Sequence, residues 1–173
     1  KTVEAYDAFY KACWNAAWQD SGYYSLAQLS AAREEWDDAL NEINQSLIRN
    51  WHNHRGRHLK AMILRKLGRD EEAIKLIEES LNIDKFNFGC GFEAWLQSGE
   101  KEMSPSLRIL MRNESRNYEE LATDYAQAGN WKDALTVVNT ALANISVPST
   151  MLLYYKAWFL CQMNQQDEAI RVV

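Results

Sequence analysis

Residues 59–81 read LKAMILRKLGRDEEAIKLIEESL, and residues 118–142 read YEELATDYAQAGNWKDALTVVNTAL. Laid side by side, the two stretches agree at fixed points. Ala61 and Ala122 each stand twelve residues before a second alanine, Ala73 or Ala134. Gly68 and Gly129 stand five residues before those second alanines. Four residues after them come Ile77 and Val138, and three further on the small residues Ser80 and Ala141, followed by Leu81 and Leu142. This pattern predicts two amphipathic helices folded back on each other. Small residues let the helices approach, large apolar ones fill the space between, and glycine suits the left-handed end of the first helix. Asp70 is the expected cap of the helix after Gly68.

The register extends outward from these two stretches. Ala5, Ala39 and Ala73 are spaced by 34 and 34 residues, and Ala134 and Ala169 by 35. Ala27 and Ala157 fill the earlier small position in two further copies, and Phe9 and Ile43 the large apolar one. Trp36 and Trp131 precede their alanines by three residues and read as packing residues. In a hairpin repeat each copy leaves an apolar face that only a neighbouring copy can cover. The middle is irregular: Leu107 stands where the next alanine belongs, and Ala134 follows after only 27 residues. Ser104-Pro105 reads as a cap followed by a first-turn proline, opening a short helix.

A repeat near 34 residues with this pattern resembles the tetratricopeptide family over nearly the whole chain. The chain departs from the family in two ways. The mid-helix glycine is alanine throughout, and Ala17, Trp51, Lys85 and Ser146 replace the closing proline. The resemblance implies an all-α fold of tandem antiparallel hairpins, a TPR-type α-solenoid with a right-handed superhelix and first helices lining a concave groove. The expected layout is a single repeat domain over residues 1–173. It has a leading helix at 2–19, hairpins at about 20–50, 53–84, 87–113 (degenerate) and 116–145, and a last partial hairpin at 149–173. The chain is expected to be part of a longer protein, with uncapped ends that associate end to end.

Composition agrees with a helical globular chain: 47% hydrophobic and 25% charged, with 7 Gly and 2 Pro in 173 residues. A net charge of −5 gives no reason to expect a nucleic-acid partner. No apolar run approaches the ~18 residues that span a bilayer. Cys13, Cys90 and Cys161 are expected as buried free thiols, compatible with a reducing, cytoplasmic setting. Tyr6, Phe9, Tyr10, Trp14 and Trp18 crowd the first helix and are expected in core or interface.

Charge is segregated along the chain. From Ile43 to Arg69 there is no Asp or Glu, while the same window holds Arg49, Arg55, Arg57, Lys60, Arg65, Lys66, Arg69 and all three histidines. Arg55, His58, Met62 and Arg65 recur at three or four residues, on one helical face, with Lys66 beside them. In the family's geometry this face looks into the groove, and Arg offers a planar fork for a carboxylate. These five residues are the candidate site for an acidic peptide or protein segment. Neither a metal nor a cofactor is expected, because His52, His54 and His58 lack nearby Cys or acidic ligands. The chaperone-tail clamp of the family needs Lys and Asn where Tyr24, Gln28, His58 and Met62 stand, so that function is not carried over. With no nucleophile–base arrangement or phosphate loop, a non-catalytic scaffold is expected. The alternative is a structural spacer in a larger bacterial, carbohydrate-active protein. The stretches Asn50–His54, His58–Ala61, Leu64–Gly68 and Phe86–Cys90 resemble repeat regions that follow a mutarotase-like β-sandwich of uncharacterised type, and would dock that domain within the same chain.

Overall fold

The computed structural model describes residues 2–172. Among them the regular structure is eleven α-helices and one 3-10 turn. The chain divides into two compact units, one ending at Glu102 and the other beginning at Met103.

The first unit contains α1 (Thr2–Ala12), a 3-10 turn (Ala16–Trp18), α2 (Gln19–Ala32), α3 (Trp36–Arg49), α4 (His54–Lys66), α5 (Asp70–Ile83) and α6 (Phe88–Ser98). Helices α2 and α3 form one hairpin and α4 and α5 the next; α3 packs on α4, α1 on α2, and α6 on both α4 and α5. The small residues sit where the helices meet. Ala27, Ala39, Ala61 and Ala73 are fully buried, with Ile43, Ile77, Ser46 and Ser80 alongside them. Closing an Ile or Leu into such a layer contributes about 1.5–3 kcal/mol, whereas enlarging one of the alanines would overpack it.

The second unit contains α7 (Pro105–Met111), α8 (Ser115–Gln127), α9 (Trp131–Asn144), α10 (Thr150–Gln162) and α11 (Gln166–Val172). Here α8 pairs with α9, α10 with α11, and α10 also packs on α9 and α8. Ala122, Ala134, Val138 and Ala141 repeat the buried positions of the first unit.

One device reverses the chain in all four of these hairpins. Glu34, Gly68, Gly129 and Asn164 have left-handed backbone, with φ of 62°, 70°, 70° and 60°. The residue after each donates its N–H to a carbonyl five residues back: Glu35 to Ser30, Arg69 to Leu64, Asn130 to Tyr125 and Gln165 to Leu160, at 2.9–3.0 Å. This is a Schellman closure. Asn53 and Asn87, 34 residues apart, cap α4 and α6 through their side chains at 2.9 and 3.2 Å. Asn87 also donates to the His54 carbonyl and the Ser80 hydroxyl, stitching α4, α5 and α6 together. Ser104 caps α7 with Pro105 in the first turn.

Several expectations need correction. The leading helix does not run to residue 19: α1 stops at Ala12, and Asn15 accepts a hydrogen bond from the Ala17 N–H in a tight turn. Cys13 lies against Gly22, where a Cβ would come within 2.8 Å of its sulfur, so this reversal needs the glycine. Residues 87–113 are divided between the units, α6 lying in the first and α7 in the second. Asp70 is the first residue of α5, not its cap; with Glu71 and Glu72 it places negative charge at the helix N-terminus. Cys13 and Cys90 are buried, but Cys161 is exposed on α10. Tyr10 on the short α1, Trp14 in the turn after it and Trp18 in the 3-10 turn are also exposed.

Candidate functional site

The five expected site residues lie on α4, and the structure separates them. Arg55 is exposed, its guanidinium 5.7 Å from the Tyr24 ring centroid of α2. The Gln28 amide donates to the Tyr24 hydroxyl at 3.2 Å, so Tyr24, Gln28 and Arg55 form one polar-aromatic surface across α2 and α4. Lys66 is exposed at the end of α4. His58 and Met62 are buried, because α6 packs over them. His58 lies so close to Gly89 that a Cβ there would meet its Cγ at 2.3 Å. Arg65 is held by Glu93 of α6 through two hydrogen bonds. Its fork is thus filled by a carboxylate of the same chain. Arg55 and Lys66 are the two members of the set that remain on the surface.

Other members of the basic window are spoken for locally. Arg69 pairs with Glu72, and Arg49 bonds Gln45 and Gln19 while lying 4.9 Å from the Tyr23 ring centroid. His54 stands 3.7 Å from Asp84. Among the described residues no group of three or more His, Cys, Asp or Glu could hold a metal ion. No described helix is long and apolar enough to cross a membrane.

The second unit carries a face that sequence reasoning passed over. Arg55, His58 and Met62 precede or follow Ala61 by −6, −3 and +1, and the same offsets from Ala157 fall on Met151, Tyr154 and Trp158. On α10 these three are exposed, by 45%, 62% and 37%. Trp158 stacks at its edge on Trp131 at 5.7 Å, with Tyr155 at 6.1 Å. The same offsets from Ala122 fall on Arg116, Glu119 and Thr123 of α8. Arg116 pairs with Glu120, and Glu119 accepts a hydrogen bond from Ser149, the cap of α10. The signal was the alanine register itself, applied to the last hairpin as well as to the second.

With this geometry in view, likeness to one solved structure identifies the fold. A thermophilic TPR protein of Thermus thermophilus superposes with a TM-score of 0.50 at 16% identity, covering 88% of this chain and 87% of that one. The MamA protein superposes at 0.47 and 13% identity over 88% and 87% of the two chains. No family model matches the chain, and no curated protein matches it. The fold is therefore a TPR-like tandem helical repeat. The second resemblance, to repeat regions following a mutarotase-like domain, finds no support in these likenesses.

Proposed function

We propose that this chain is a non-catalytic scaffold that holds a segment of another protein on the exposed faces of its first helices. The observation that carries this reading is the Tyr24–Gln28–Arg55 surface. A hydrogen-bonded tyrosine positions an exposed arginine on the outward face of two adjacent first helices, with Lys66 further along α4. Arg over an aromatic ring offers a planar, charged face of the kind that meets carboxylates at interfaces. The partner's complementary feature is a carboxylate-bearing segment. In the second unit, Met151, Tyr154 and Trp158 supply apolar area in the residue types that dominate interface energetics.

The test is capture of partners from a source-cell lysate with the full chain, wild type beside Arg55→Glu/Lys66→Glu, read by mass spectrometry. Arg65 is left intact because its reversal would break a buried pair. A partner lost from the variant while the helical spectrum is unchanged supports the reading. A partner retained equally by both overturns the placement on α2 and α4.

A further inference from the structure

On another side of α4 lies a pocket that this surface does not include. It holds about 280 Å³ and is lined by Trp51, Lys60, Leu64, Glu72, Lys75, Leu76 and Glu79. That is at the small end for ligand sites, which suits one side chain rather than a whole ligand. Behind its aromatic wall sits Arg57, 1% exposed. Its guanidinium lies 3.9 Å from the Trp51 ring centroid, and its Nε donates to the Trp51 carbonyl at 3.0 Å. Its Nη1 and Nη2 are buried without a hydrogen-bond partner. A buried cation with unmet donors is unfavourable unless an anion answers it. The lining itself carries Lys60 and Lys75 against Glu72 and Glu79; the positive surplus comes from two arginines next to it, Arg69, which engages Glu72 at 2.6 Å, and Arg57 behind Trp51. Burial pushes the Lys60 ammonium below its ordinary value, Arg69 and Arg57 add to the shift, and Glu72 and Glu79 oppose it.

The geometry points to a receptor pocket for one carboxylate side chain of a bound protein segment, its methylenes against the exposed Trp51 ring and its charge facing Lys60 and Lys75. Glu72 and Glu79 in the wall disfavour a doubly charged phosphate more than a single carboxylate. The inference rests on the scaffold reading only in taking the ligand to be a protein segment, and its site is separate from Arg55 and Lys66.

The test uses the full chain and three end-blocked or open hexapeptides: one blocked with a central Glu, its Gln twin, and a Gln peptide with a free terminal carboxylate. The Trp51 indole N–H and the Arg57 Nε–H are followed by ¹H–¹⁵N NMR. The Glu peptide is expected to move both resonances and the Gln twin neither. Lys60→Gln is expected to weaken binding about tenfold, as losing one charge-assisted contact does. The exposed Lys75→Gln gives a second reading if Lys60→Gln unfolds. The assignment is overturned if the Glu peptide moves neither resonance at millimolar concentration, if both blocked peptides act alike, or if folded variants bind as wild type. Binding of the free-terminus peptide alone also overturns it, in favour of a chain end. Lysate capture through Arg55 and Lys66 is read separately, so either proposal can fail alone.

Discussion

Arg65 of α4 and Glu93 of α6 form a two-pronged pair, Nε to Oε2 at 2.6 Å and Nη2 to Oε1 at 2.9 Å, with Glu93 wholly buried. Removing one member strands a charge in the interior, which costs about 3–5 kcal/mol, whereas replacing both with apolar residues is often neutral. Arg65→Met is therefore expected to lower stability severely, and Arg65→Met/Glu93→Leu to recover most of it. Urea melts of the single and double variants decide the matter. A double variant no more stable than the single would show that the pair holds α6 by something other than charge.

The contact between Gly89 and His58 predicts a steric failure. A methyl at 89 would stand 2.3 Å from Cγ and 2.6 Å from Nδ1 of a buried ring that cannot swing away. Gly89→Ala should cost at least about 1–3 kcal/mol, as overpacking does. The effect should shrink when His58 is first trimmed to alanine, giving a coupling above ~0.5 kcal/mol in a double-mutant cycle. Additive losses would mean that the clash is absorbed elsewhere.

Glu34 and Gly68 occupy the same corner in successive hairpins, at φ of 62° and 70°. A side chain in that region costs about 1 kcal/mol, and nothing lies within 4 Å of a Cβ built on Gly68 to confuse the comparison. Gly68→Ala should destabilise by about 1 kcal/mol, and Glu34→Gly should stabilise by up to that amount. Thermal melts moving in the same direction for both would contradict the backbone account.

Glu42 accepts hydrogen bonds from the Ser30 hydroxyl at 2.7 Å and the Tyr6 hydroxyl at 3.1 Å, joining α3 to α2 and α1. Burial raises its pKa, with Asp38 and Glu35 adding to the rise against those bonds. A raised pKa means that the folded chain binds this proton more tightly than the unfolded one. The stabilisation is fully present below the ordinary carboxylate value and is lost as pH climbs through the folded value. Glu42→Gln should hence gain on wild type in stability as pH rises from the ordinary carboxylate range, then keep a constant lead at neutral pH. Denaturant titrations at stepped pH give that difference; a lead that stays flat throughout would refute it. Tyr6, pushed up to about 12 by burial and by Glu42, adds a second loss, as pH rises from its ordinary 10 toward 12.

The repeat was readable because its strongest constraint is local: a small residue wherever two helices touch. Ala39, Ala73 and Ala134 announce those contacts by spacing alone. The Asn53 and Asn87 caps obeyed the same spacing and could have been read too. What could not be read depends on the following helix. His58 and Met62 sit at positions that a bare hairpin would expose; they are buried only because α6 arrives with Gly89 against the histidine. Arg65 looked available since its partner lies 28 residues on, in a stretch of aromatics and glycines with no visible repeat. The early end of α1 was hidden likewise, in a contact between Cys13 and Gly22 on another helix.

The four Schellman corners are closed by main-chain atoms alone, whether the residue at the bend is Glu34, Gly68, Gly129 or Asn164. Side-chain identity at a corner shifts stability by about as much as one left-handed residue costs, and leaves the reversal itself in place. The corners are therefore natural attachment points. A dye, a tether or a crosslinker mounted at 34 or 164 would ride on the bend while the helix faces stay untouched, so the array can be instrumented without being redesigned.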